Sequence, residues 1–138
     1  MAERSDADLL EDLLAVEARL ASVYEAALRR GAIEPALGEA LVAQERQHAA
    51  ALERALAGRG RNPRASVPSP ELAGALGDPA RFARFALGIE AEAVAAYRDA
   101  AATIRDERLR QPLGSIMACE AAHTVALRES LGMRLLVD

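Results

Sequence analysis

CEAAHTVAL, residues 119–127, sets Glu120 and His123 three positions apart inside an apolar run with helical spacing. Residues three apart share one face of a helix, so the carboxylate and the imidazole point the same way. That way is inward, because Leu113, Ile116, Met117, Thr124, Leu127 and Leu131 fall on the same stripe. The arrangement recurs at QERQH, residues 44–48, where Glu45 precedes His48 by the same interval on a stripe with Leu37, Leu41, Ala49, Leu52 and Leu56. Glu fills 14 of the 138 positions, and His occurs twice. A Glu three residues before both histidines would arise by chance about once in a hundred such sequences.

Two further stripes carry a carboxylate near their middle. Leu10, Leu13, Leu14, Glu17, Leu20, Ala21, Tyr24 and Leu28 line up in one; Phe82, Ala86, Ile89, Glu90, Ala93, Val94, Tyr97, Ala101 and Ile104 line up in the other. EARLASVYEAAL from Glu17 and EAEAVAAYRDAA from Glu90 both place a tyrosine seven residues after the glutamate, and the chain has no other tyrosine. Glu17 to His48 spans 31 residues and Glu90 to His123 spans 33. The chain is therefore expected to hold two helical hairpins built on one plan, related by a pseudo-two-fold axis. Glu92 lies about 200° around its helix from Glu90, on the polar side, and is not a candidate.

These stripes predict four helices, over about 6–30, 35–57, 79–105 and 107–131, with a crossover at 58–78. Ser5 or Asp6 caps the first and Gly31 ends it; Pro35 opens the second and Gly58 stops it; Asp78-Pro79 is a cap followed by a first-turn proline. Pro112 must either begin the fourth helix or kink it, and Gly132 ends it. Short links join helices one to two and three to four, making each pair an antiparallel hairpin. GRGRNPRASVPSP, residues 58–70, rules out one continuous helix between the hairpins. A helix of ~24 residues is ~36 Å long, and 13 extended residues reach about 43 Å. The crossover can run the length of the bundle, and helix three is expected to start at the same end as helix one, with ELAGAL (71–76) forming a helical turn on the way. The fold class expected is all-α: a four-helix bundle of two antiparallel hairpins joined by one long crossover, in one domain over 1–138.

Composition agrees. The chain is 51% hydrophobic but only 3% aromatic, with no Trp, so its core must come from Leu, Val, Ile and Ala on closely approaching helices. All 17 basic residues are Arg, which reflects codon bias more than chemistry. A net charge of -4 argues against nucleic acid or an anionic membrane as the main partner. No run reaches the ~18 apolar residues of a membrane span, the N-terminus lacks an apolar signal core, and a soluble cytoplasmic protein is expected. The single Cys119 cannot form an internal disulfide and is read as an inert thiol pointing aside from the ligand helix face. Phe82 and Phe85 are read as core or dimer contacts, the Arg-rich crossover as a solvated linker, and the tail MRLLVD (133–138) as packing on the bundle or a second subunit; a homodimer is plausible on that basis.

Glu17, Glu45, His48, Glu90, Glu120 and His123 then converge on the bundle axis. Each buried carboxylate costs several kcal/mol, and four together also repel one another. Two divalent cations, +4 against -4, remove both problems. Oxygen ligands mixed with imidazole suit iron first, with manganese and zinc compatible, and exclude copper–thiolate or iron–sulfur sites.

The pattern resembles the ferritin-like di-iron carboxylate superfamily of bacterioferritins and rubrerythrins, over about Asp6 to Leu131. By that resemblance Glu17 and Glu90 are the ligands from helices one and three, Glu45 and Glu120 the bridging or terminal carboxylates, and His48 and His123 the terminal imidazoles. Tyr24 matches a tyrosine near the metals in bacterioferritin-like members. Tyr24 and Tyr97 are the candidate catalytic neighbours, read as core tyrosines or donors to a ligand carboxylate in preference to redox radicals. The chain is short for a cage-forming ferritin, shows no fifth helix, and lacks the Cys-x-x-Cys of a rubredoxin-like module; it is more similar to small bacterial ferritin-like proteins. The resemblance implies a centre reacting with dioxygen or hydrogen peroxide, as a ferroxidase or peroxide scavenger. Two alternatives stand beside it: a bundle holding metal for stability alone, and a metal-free interaction module whose glutamates share protons and bond the histidines.

Overall fold

The structure is a computed structural model that describes residues 3–63 and 70–132. Helices α1 (Asp6–Arg30), α2 (Pro35–Ala57), α3 (Pro79–Thr103) and α4 (Arg110–Ser130) form the bundle, with 3-10 segments at Pro70–Gly77 and Glu107–Leu109. The four-helix bundle expected from the stripes is the fold observed. No helix among the described residues is long and apolar enough to cross a membrane. The tail at 133–138 lies outside the described residues.

Local signals set the helix ends. Ser5, not Asp6, caps α1: its hydroxyl accepts the Asp8 amide at 3.1 Å while the Asp8 carboxylate accepts the Ser5 amide at 3.0 Å. Gly31 closes the helix at φ 68°, a left-handed conformation that glycine adopts without steric cost. Glu34 and Asp78 cap α2 and α3, each followed by a first-turn proline. Pro112 is the third residue of α4, where its missing N–H would have had no helical partner, so the helix runs through it without a break.

Two boundaries differ from expectation, for one reason. Helix α3 stops at Thr103 instead of 105 and α4 starts at Arg110 instead of 107. The Asp6 carboxylate accepts the backbone amides of both Arg105 and Asp106 at 2.9 Å, which holds that link out of the helix and ties it to the start of α1. Ile104 is accordingly extended, at ψ 135°. Asp6→Ala leaves two amides without this acceptor and is expected to destabilise the protein by about 1–3 kcal/mol. Urea unfolding measures the loss, and an unchanged midpoint would count against this latch.

Helix α1 packs chiefly on α2 and α3 on α4, as hairpins. The expected direction of helix three is corrected. The beginning of α1 adjoins the end of α3 through Asp6, and the end of α1 adjoins the beginning of α3 through Tyr24 and Phe82, whose rings meet edge to face at 6.1 Å. Helix α3 thus starts where α1 finishes, running antiparallel to α1 and parallel to α2. A crossover that traverses the bundle from the end of α2 can begin α3 only at the opposite end. The crossover is also no free linker: Arg59 pairs with Asp106 at 2.5 Å, and Arg61 with Asp8 and Glu11 at 3.1 and 3.2 Å. The turn expected at 71–76 is the 3-10 segment, which buries Leu72 and Ala75.

The core is two apolar layers with a polar layer between. Leu20, Val23, Tyr24, Ala27, Leu41, Phe82, Ala86 and Leu127 fill one end; Leu10, Leu13, Leu56, Tyr97, Ile104 and Leu113 fill the other. Val23, Ala27, Val42, Ala83 and Ala100 join the core although they lie off the predicted stripes, while Ala21, Leu28 and Val94 are only half-buried. The buried face is wider than a single stripe. Phe82 is a core residue; Phe85 is half-buried against it.

Candidate metal centre

All four helices bring their mid-length carboxylates to the layer between the apolar ends. Glu17, Glu45, Glu90 and Glu120 are each 0% exposed and His123 is 4% exposed. His48 is half-buried, its side chain 12% exposed. Every residue singled out from the sequence as a ligand is therefore in one cluster, whereas Glu92 is exposed and pairs at 3.5 Å with Arg19.

The cluster divides into two overlapping sets. Ligand atoms of Glu17, Glu45, His48 and Glu120 lie within 4.8 Å of one another, as do those of Glu45, Glu90, Glu120 and His123. Glu45 and Glu120 belong to both. His48 Nδ1 is 2.9 Å from Glu120 Oε1, 3.4 Å from Glu45 Oε2 and 3.5 Å from Glu17 Oε2. His123 Nδ1 is 3.0 Å from Glu45 Oε1, 3.0 Å from Glu120 Oε2 and 3.3 Å from Glu90 Oε1. The two imidazoles lie 6.2 Å apart with planes at 24°.

The tyrosines join the hairpins. Tyr24 of α1 donates its hydroxyl hydrogen to Glu90 of α3, and Tyr97 of α3 donates to Glu17 of α1. Each terminal carboxylate thus has one oxygen held by a phenol from the other hairpin and one oxygen free. Burial and the neighbouring carboxylates raise both phenols well above their ordinary range, so they stay protonated donors.

Electrostatics without cations are strained. Burial pushes Glu17 up to about 9 against the lowering contact with His48, and Glu90 up to about 7 against that with His123. Burial alone would lower His48 and His123, but hydrogen bonding to Glu120 and the other carboxylates raises both to about 12. Burial would likewise raise Glu120, yet the His123 ring close beside it and its bond to His48 hold it well below the usual carboxylate range. The donor set is therefore one that gathers positive charge.

Hydrogen bonding leaves a matching deficit. Glu17 Oε2, both oxygens of Glu45, Glu90 Oε2, Glu120 Oε2 and His123 Nδ1 are buried without a well-formed hydrogen bond, although His123 Nδ1 lies 3.0 Å from both Glu45 Oε1 and Glu120 Oε2. Buried polar atoms without partners cost about 1–3 kcal/mol each. Here they belong to residues of the two overlapping sets, whose ligand atoms lie within 4.8 Å of one another, so the residues present fit two divalent cations with oxygen and imidazole ligands.

Sequence reasoning missed Gln44 and misjudged Cys119. Gln44 Oε1 accepts a hydrogen bond from His123 Nε2 at 2.5 Å. The Cys119 sulfur does not point aside; it lies 3.4 Å from Gln44 Oε1 and 3.6 Å from His123 Nε2, on the outer edge of the ligand set. The available signal was position: Gln44 and Cys119 each immediately precede the glutamate of a Glu-x-x-His.

Comparison with known proteins agrees with this architecture. A family model described as a ferritin-like domain matches residues 5–133. A crystal structure of a conserved hypothetical protein from Mycobacterium tuberculosis is similar over 96% of this chain and 94% of that one, at 21% identity and a TM-score of 0.78; this likeness concerns the fold. No curated protein matches the sequence at a significant level.

Proposed function

We propose, from the premise that the chain belongs to the ferritin-like domain family, that it binds two divalent metal ions, iron first, and reacts with dioxygen or hydrogen peroxide as a ferroxidase or peroxide scavenger. The observation that carries the reading is the set of partnerless buried donor atoms shared between two ligand groups. Glu17 and His48 would hold one ion and Glu90 and His123 the other, with Glu45 and Glu120 offered to both. Manganese or zinc would satisfy the same donors. When bound, two ferrous ions supply two electrons, which with two protons reduce hydrogen peroxide to two waters, or dioxygen to hydrogen peroxide, and leave two ferric ions.

The chain's own residues define what can react. The carboxylates are fully buried, and of the two imidazoles His48 is the more open, its side chain 12% exposed against 5% for His123, so the reactant must be as small as dioxygen, peroxide or a metal ion. The apolar layers on both sides exclude water and strengthen electrostatic attraction within the site. Tyr24 and Tyr97 orient the terminal carboxylates, each holding one oxygen and leaving the other without a hydrogen bond. Anaerobic addition of Fe(II) to the metal-free protein is expected to give two ions per chain, and oxidant is then consumed at about one per two irons. A chain that takes up neither iron nor manganese would refute the reading. Two tightly held ions with no oxidant consumption would leave a bundle that uses metal for stability.

A further inference from the structure

The two halves of the centre follow one plan except at a single matched pair. Gln44 precedes Glu45-x-x-His48, and Cys119 precedes Glu120-x-x-His123. Under the pseudo-two-fold, Gln44 reaching His123 should be mirrored by residue 119 reaching His48. It is not. The shorter Cys119 side chain is turned onto Gln44 Oε1, so both outer groups crowd His123. Among the described residues His48 Nε2 has no protein hydrogen-bond partner, and the His48 side chain is 12% exposed against 5% for His123.

We infer that Gln44 is a positioning residue that makes the centre unequal, the Glu90–His123 end binding metal tightly and the Glu17–His48 end being the exchangeable one. The inference rests on the dimetal reading proposed above. A ligating imidazole whose outer N–H is held by a carbonyl has its ring orientation and tautomer set in advance, and gains basicity at the ligating nitrogen. Gln44 does this for His123: Nε2 carries the hydrogen that Gln44 accepts, and Nδ1, once a cation displaces its own proton, offers its lone pair to the space among Glu45, Glu90 and Glu120. His48 has no such acceptor behind it among the described residues. Its ring must be ordered when metal arrives, and its open edge is the short way in and out.

Zinc titration of the full chain, made metal-free and set against a competing chelator, tests this. Repulsion between two cations would separate two binding steps even in a symmetric centre, so the ends are isolated by substitution. His48→Ala, which keeps the Gln44-supported end, is expected to bind one zinc about 10- to 100-fold more tightly than His123→Ala. Adding Gln44→Leu to His48→Ala should erase that advantage, and Gln44→Glu, which keeps an acceptor at the same place, should restore it. In the zinc-loaded wild-type protein the His123 Nε2–H should appear by nitrogen-15 NMR as a slowly exchanging, hydrogen-bonded proton, and Gln44→Leu should lose it. Equal affinities in the two histidine variants, or a Gln44→Leu loss at both ends alike, would overturn the inference while leaving the dimetal reading intact. A wild-type chain that takes up no zinc, iron or manganese would overturn both.

Discussion

Glu45→Ala is expected to remove both metal ions, whereas Glu17→Ala removes one. Glu45 lies in both ligand groups, while Glu17 lies only in the group with His48. Metal analysis after dialysis should read about two ions per chain for the wild type, about one for Glu17→Ala and near zero for Glu45→Ala. Stability should follow the same order. A ligand at 1,000 times its dissociation constant stabilises the folded state by about 4 kcal/mol per site, so two sites contribute on the order of 8 kcal/mol. For a chain approaching 150 residues that corresponds to roughly 15–30 °C in melting temperature. Metal addition should produce that rise in the wild type, about half of it in Glu17→Ala and almost none in Glu45→Ala. An undiminished rise in Glu45→Ala would show that the stabilising metal sits elsewhere.

Metal-free protein should lose stability as pH rises from 5 to 9, and metal-loaded protein should not. The sign follows from the groups in the cluster. Glu17 and Glu90 are raised in the fold from 4.5 to about 9 and about 7, so the stability they contribute is present below 4.5 and lost as pH climbs through those values. His48 and His123 are raised from 6.5 to about 12, and their contribution fades in the same direction, above 6.5. Glu120 is lowered and acts oppositely, its contribution failing only as pH falls below the ordinary carboxylate range. Between pH 5 and 9 the fold therefore holds more protons than the unfolded chain. Each proton held in excess costs about 1.4 kcal/mol per pH unit, or roughly 3–5 °C per unit at this size. Metal must displace those protons, so its affinity grows with pH. The gap between loaded and metal-free melting temperatures should widen steadily across the range. A metal-free melting curve that is flat or rises with pH would contradict the buried cluster.

Local signals in the sequence are enough to specify the four helices and to turn the six candidate ligands inward. Caps, first-turn prolines and the 3.6-residue period are local properties, and a Glu-x-x-His on an apolar stripe shows its direction without reference to any other helix. The matched spacing from Glu17 to Tyr24 and from Glu90 to Tyr97 likewise exposed the two-hairpin plan. How the stripes face one another is a matter of packing. The direction of α3 depends on where the crossover delivers the chain, and it is this antiparallel approach to α1 that sends Tyr24 to Glu90 and Tyr97 to Glu17, each across to the other hairpin. The sharing of Glu45 and Glu120 between two ligand groups, and the reach of Gln44 to His123, depend on distances between helices far apart in sequence. Periodicity says which face a side chain is on; the neighbour it meets there is decided by packing.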